Sequence, residues 1–142
     1  MHKKVSIFLD YFASSKKCAA AINLVIAAIV ITPLCGLLFQ CGCNWPWNGL
    51  NDFCNYYHPE AIHKCPWCSS LVSGLFSCSI SILAGIWVSI SDFPSTTGKT
   101  LISRLFSGFF AFLIMAALTA IIAAYLQDYP EGIGGLVVNN LA

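Results

Sequence analysis

Three uncharged apolar stretches decide what this chain can fold into. No charge occurs from Cys18 to Asn51, from Cys65 to Ser91 or from Leu105 to Gln127, and about 20 apolar residues in a helix cross the hydrocarbon of a bilayer. Backbone groups in lipid must satisfy one another, so each stretch is expected to be a helix. Charged residues make up 9% of the 142-residue chain, against about a quarter in soluble domains. The expected fold is an all-α integral membrane protein with transmembrane helices over 18–39, 69–91 and 105–126. A formal net charge of +1 gives no footprint for nucleic acid.

Between the first two spans lies the Cys-rich loop 40–68, which holds Cys41, Cys43, Cys54, Cys65 and Cys68, five of the eight cysteines, with His58 and His63. Before the first span, Lys3, Lys4, Lys16 and Lys17 surround Val5, Phe8, Leu9 and Phe12. That i, i+3, i+4, i+7 spacing predicts an interfacial amphipathic helix within 1–17. Residues 92–104 form a short polar connection and 127–142 a Gly-rich apolar tail. Gly98-Lys99-Thr100 resembles the end of a phosphate-binding loop, but Phe93 stands where that motif needs glycine, so no nucleotide is expected.

The basic residues set an orientation. Lys3, Lys4, Lys16, Lys17, Lys99 and Arg104 flank the spans on one side and Lys64 alone on the other; an excess of Lys and Arg marks the cytoplasmic side. The amino terminus is expected inside, with the Cys-rich loop and the carboxyl terminus outside a bacterial inner membrane. Small residues recur every fourth position at Ser70, Gly74 and Cys78, at Ser77, Ser81 and Gly85, and at Ala116, Ala120 and Ala124. Such faces let helices approach closely in lipid. The second span is expected at the centre of the bundle, and Pro33 is expected to kink the first.

Outside the cytoplasm closely spaced cysteines default to disulfides, yet the loop holds an odd number, so one thiol is left over or Cys35, near the end of the first span, joins in. Three uses of the cluster follow, of which a thiol–disulfide redox pair is the expected function and metal binding or a structural role the alternatives. One or two disulfides would staple the loop of a non-catalytic subunit in a larger membrane complex. Alternatively, Cys65-Pro66-Trp67-Cys68 is a C-x-x-C at a helix start, where free N–H groups favour thiolate. Cys65 would then be the attacking sulfur with the lower thiol pKa, Cys68 the resolving one, and Cys41, Cys43 and Cys54 a relay toward an extracytoplasmic thiol protein. The third use is metal: Cys41, Cys43, His58, His63, Cys65 and Cys68 are a ligand set suited to Cu or Zn. Trp45, Trp47, Phe53, Tyr56, Tyr57 and Trp67 suit a loop folded onto the bilayer interface.

Cys65-Pro66-Trp67-Cys68 at the mouth of a span resembles the membrane oxidases of the DsbB and vitamin K epoxide reductase type, and the likeness implies quinone as the electron acceptor. It covers only those four residues and their placement. The DsbB type has four spans, a second cysteine pair in a separate outer loop and an arginine after its C-x-x-C, where this chain has Ser69-Ser70-Leu71-Val72-Ser73. No family membership follows.

Overall fold

The computed structural model describes the chain at 2–43, 54–91 and 100–141, with side chains in those ranges except 2–14, 134 and 138–141. Trp45, Trp47, Phe53 and Lys99 therefore lie outside the described residues. Regular structure within them is wholly helical: α1 (His2–Phe39), α2 (Pro66–Ser69), α3 (Leu71–Ile90), α4 (Leu101–Leu126) and α5 (Gly132–Leu141). Three segments, Ser15–Phe39, Leu71–Ile90 and Leu101–Leu126, are long and apolar enough to cross a membrane. The backbone of the basic amino-terminal segment is helical and continuous with the first span, and α1 runs on through Pro33.

Helix boundaries follow local chemistry. Ser70 caps α3 by accepting from the Ser73 amide, and Thr100 caps α4 by accepting from the Ser103 amide, each satisfying an amide that has no partner within its helix. Gln40 adopts a left-handed φ of 51°, which stops α1 at Phe39. Ser70 is extended, so the Pro66–Ser69 turn is a separate short helix rather than the first turn of α3.

The bundle is small inside and bulky outside. Buried positions of α3 are Gly74, Ser77, Ser81, Gly85 and Ser89, and those of α4 include Gly108, Ala116, Ala120 and Ala124. Leu75, Phe76, Leu83, Phe106, Phe110 and Ile114 are exposed on the perimeter, where hydrocarbon would cover them. The small-residue seams are thus the packing faces, but the hub is the third span: α4 packs against every other helix, because its alanine-rich inner face admits neighbours on two sides.

At the end of the bundle away from the cysteine cluster, Asn23 donates to Ser89 Oγ at 2.6 Å and Arg104 donates to the Ser89 carbonyl at 3.0 Å. Arg104 is 1% exposed, so it ties helices together instead of standing as a solvated flank. A Cβ on Gly108 would collide with Ser89, Asn23 and the Gly85 carbonyl. Gly108→Ala is therefore expected to destabilise the bundle by about 1–3 kcal/mol, the usual range for overpacking, read as a lower midpoint of unfolding in sodium dodecyl sulfate. The perimeter change Ile114→Val should leave that midpoint unmoved; equal midpoints for the two variants would mean that the helices do not meet at Gly108.

Candidate functional site

The sulfurs gather where the end of α1, the α2 turn and the end of α4 meet. After Phe39 the chain folds back so that the Cys43 carbonyl lies against Gly36, and the Trp67 carbonyl lies in the same way against Gly74; a Cβ at either glycine would overlap that oxygen. Glycine is what allows these backbone approaches. Phe39 packs edge-on against Trp67 at 5.3 Å and against Tyr129 at 5.7 Å between centroids, forming the apolar floor of the site.

Two polar residues fasten the loop over that floor. Asn55 accepts from the Cys65 amide at 3.1 Å and donates to the His63 carbonyl at 3.0 Å and to Tyr129 Oη at 3.2 Å. Its own amide donates to the Cys41 carbonyl at 2.8 Å, so one residue links both cysteine segments. Tyr129, 2% exposed, donates to the Phe39 carbonyl at 3.0 Å. Gln127 adds a bond from Nε2 to the Pro66 carbonyl at 3.1 Å and accepts from Ser69 Oγ at 2.9 Å. The end of α4 thereby positions the C-x-x-C turn.

Cys43 and Cys54 are paired as a disulfide, with Cα atoms 4.5 Å apart. In the same cluster stand the free thiols of Cys35, Cys41, Cys65, Cys68 and Cys78. Cys35 Sγ lies 3.3 Å from Cys65 Sγ and 3.8 Å from Cys41 Sγ, and all three residues are buried. Two trios have every sulfur within 4.8 Å of the others: Cys35, Cys41 and Cys65, and Cys35, Cys43 and Cys68. Cys35, the residue that the loop's odd cysteine count left as an optional member, is common to both. Among the described residues these groups contain no histidine. His63 meets the Tyr129 ring edge-on at 6.4 Å, and the His58 carbonyl accepts from Lys64 Nζ.

The thiols share protons, and that sets their acidities. Hydrogen bonds from Cys35 and then Cys65 lower Cys41 below the ordinary thiol value against the upward push of burial. The same two neighbours lower Cys68. For Cys65 the pull of Cys35 is downward, but Cys41, Cys68 and burial outweigh it and leave the thiol raised. The expected order of Cys65 and Cys68 is therefore reversed. Cys65 does occupy the cap position before Pro66, but its side chain makes no cap hydrogen bond. Its sulfur turns inward to Cys35, and fully buried it is poorly placed to attack another protein, whereas Cys68 is partly exposed.

A cavity of about 430 Å³ opens beside the cluster, with Ile31, Cys35, Cys43, Trp67, Cys68 and Cys78 in its wall. Cys41 and Cys65 do not line it. Burial of Trp67 fills the floor, while Tyr56 and Tyr57 are exposed. No protein-family model matches the chain, and no curated protein or solved structure matches it either.

Proposed function

We propose that this is a membrane protein that handles a soft metal ion, with Cu(I) held by Cys35, Cys41 and Cys65 on the outer side of the bilayer. The observation that carries the reading is the spacing of three buried sulfurs, at 3.3 and 3.8 Å from Cys35. Thiolates bonded to one ion at about 2.3 Å stand about 3.8 Å apart in a tetrahedron and about 4.0 Å apart in a plane. An all-sulfur set selects soft ions, and three sulfurs suit Cu(I), whereas Zn²⁺ in a closed site takes four ligands. The six-to-one distribution of basic residues supports an amino terminus inside and the site outside.

Anaerobic titration of the detergent-solubilised protein with Cu(I) against bicinchoninate, followed by X-ray absorption at the copper edge, tests this. One tightly held Cu(I) with sulfur as its only near neighbour is the expected result. No competition with bicinchoninate would overturn it, and Zn²⁺ held by four sulfurs would reassign the cluster to a structural role.

A second reading has its own observation: Cys68, lowered in pKa and partly exposed, lies within 4.8 Å of Cys43, whose sulfur is already in a disulfide. That is the arrangement for thiol–disulfide exchange, in which Cys68 attacks Cys43 and Cys54 leaves. Under this reading Cys68 replaces Cys65 as the attacking sulfur of the C-x-x-C pair, and its partner is an extracytoplasmic thiol protein. Mapping the disulfides of the protein after brief exposure to glutathione distinguishes it: a Cys43–Cys68 linkage is expected, and a Cys43–Cys54 linkage that never exchanges would remove it.

A further inference from the structure

Cys35 belongs to both sulfur trios, and the two trios differ in access. Cys41 and Cys65 are buried and lie off the cavity, so the trio they form with Cys35 is closed. The other trio, Cys35, Cys43 and Cys68, lies in the cavity wall and includes the partly exposed Cys68. One of its three sulfurs is withheld, because Cys43 is bonded to Cys54, and a disulfide sulfur is a poor ligand compared with thiolate.

We propose that the Cys43–Cys54 disulfide gates the metal path: its reduction turns Cys35, Cys43 and Cys68 into a second Cu(I) site, through which the ion passes between the cavity and the closed trio. The inference rests on the Cu(I) reading above. Cys35 stays bound throughout while Cys41 and Cys65 are exchanged for Cys43 and Cys68, so the ion is never stripped of sulfur. The copper remains Cu(I); Cys43 and Cys68 each lose a proton on binding, and Cys41 and Cys65 each regain one.

The reductant is an external dithiol. One of its thiolates attacks the sulfur of Cys43, a residue of the cavity wall; the Cys43–Cys54 bond breaks and Cys54 leaves as thiolate and takes a proton. The second thiol of the reductant then attacks the mixed disulfide, freeing Cys43 and closing the reductant's own disulfide. Two electrons pass from the dithiol to the Cys43–Cys54 pair.

The test uses the full chain in detergent, loaded anaerobically with Cu(I), and follows transfer of the ion to bathocuproine disulfonate. Three preparations are compared: protein with the disulfide intact, protein reduced with dithiothreitol and desalted before loading, and Cys54→Ser, in which Cys43 is free without any reductant. Transfer is expected to be about tenfold or more faster from the latter two, the scale on which a metal ligand's surroundings change its hold. Cys68→Ser in the reduced protein is expected to cancel the acceleration. Equal rates from oxidised and reduced wild-type protein would overturn the gate and leave the Cu(I) site standing. Failure of all three preparations to load Cu(I) would overturn the metal reading itself. Should Cys54→Ser not fold, the comparison of oxidised with reduced wild-type protein decides alone.

Discussion

Cys35→Ser is expected to abolish tight Cu(I) binding, with a loss of affinity of more than about 100-fold, because changes to residues merely adjacent to a ligand already cost about 10–100-fold. Cys35 Sγ lies 3.8 Å from Cys41 Sγ and 3.3 Å from Cys65 Sγ and is the member common to both trios, so among the described residues neither set of three survives its removal. Serine keeps the volume but offers a hard oxygen to a soft ion. His58→Ala and His63→Ala should bind as the wild type does, since neither ring belongs to a sulfur group among the described residues. Competition with bicinchoninate measures all three variants, and circular dichroism checks that Cys35→Ser has kept its helices. A Cys35→Ser protein that holds Cu(I) within a few-fold of wild type would move the site to other residues. Loss on His63→Ala would restore the mixed Cys/His set that the loop's composition suggested.

What was legible in the sequence divides along a physical line. Spans and packing seams are local properties: the run from Cys18 to Phe39 carries its hydrophobicity in itself, and Ala116, Ala120 and Ala124 share a face by helical periodicity alone. The convergence of cysteines was legible in outline, since the ends of two spans hold the loop at one face of the bundle. Cys35 was not legible as its centre, because it stands inside an apolar run, where a cysteine reads as one more small hydrophobe. The acidity order of Cys65 and Cys68 was misread because the helix start is a local signal, and the neighbouring sulfurs of Cys35 and Cys41 come from elsewhere in the chain. Arg104 reads as a flanking charge until the fold buries it against Ser89. Tyr129 carried a weak signal, an aromatic just beyond a span, but its bond to Phe39 joins residues 90 positions apart. No periodicity reports a contact of that range.

Asn55 is the residue whose loss should most disturb the site without touching a sulfur. Its side chain holds the Cys65 amide, the His63 carbonyl and Tyr129 Oη, and its main chain holds Cys41. Asn55→Ala keeps the main-chain bond and removes three side-chain bonds. At a net value of about 1 kcal/mol each, discounted because the His63 bond is exposed, the closed loop should lose about 2–3 kcal/mol relative to a locally open one. Every 1.4 kcal/mol is a factor of ten, so the population of open loop should rise about 30- to 140-fold. The buried thiols of Cys41 and Cys65 react with N-ethylmaleimide only when the loop opens, so their labelling rates in the metal-free protein should rise by the same factor. Cys18, exposed at the far end of α1, should label at an unchanged rate and serves as the internal reference. Asn55→Asp separates the bonds further. It can still accept from the Cys65 amide but cannot donate to His63 or Tyr129, so its rates should fall between wild type and Asn55→Ala. Labelling of Cys41 and Cys65 at wild-type rates in Asn55→Ala would show that the aromatic floor of Phe39, Trp67 and Tyr129 alone keeps the site closed.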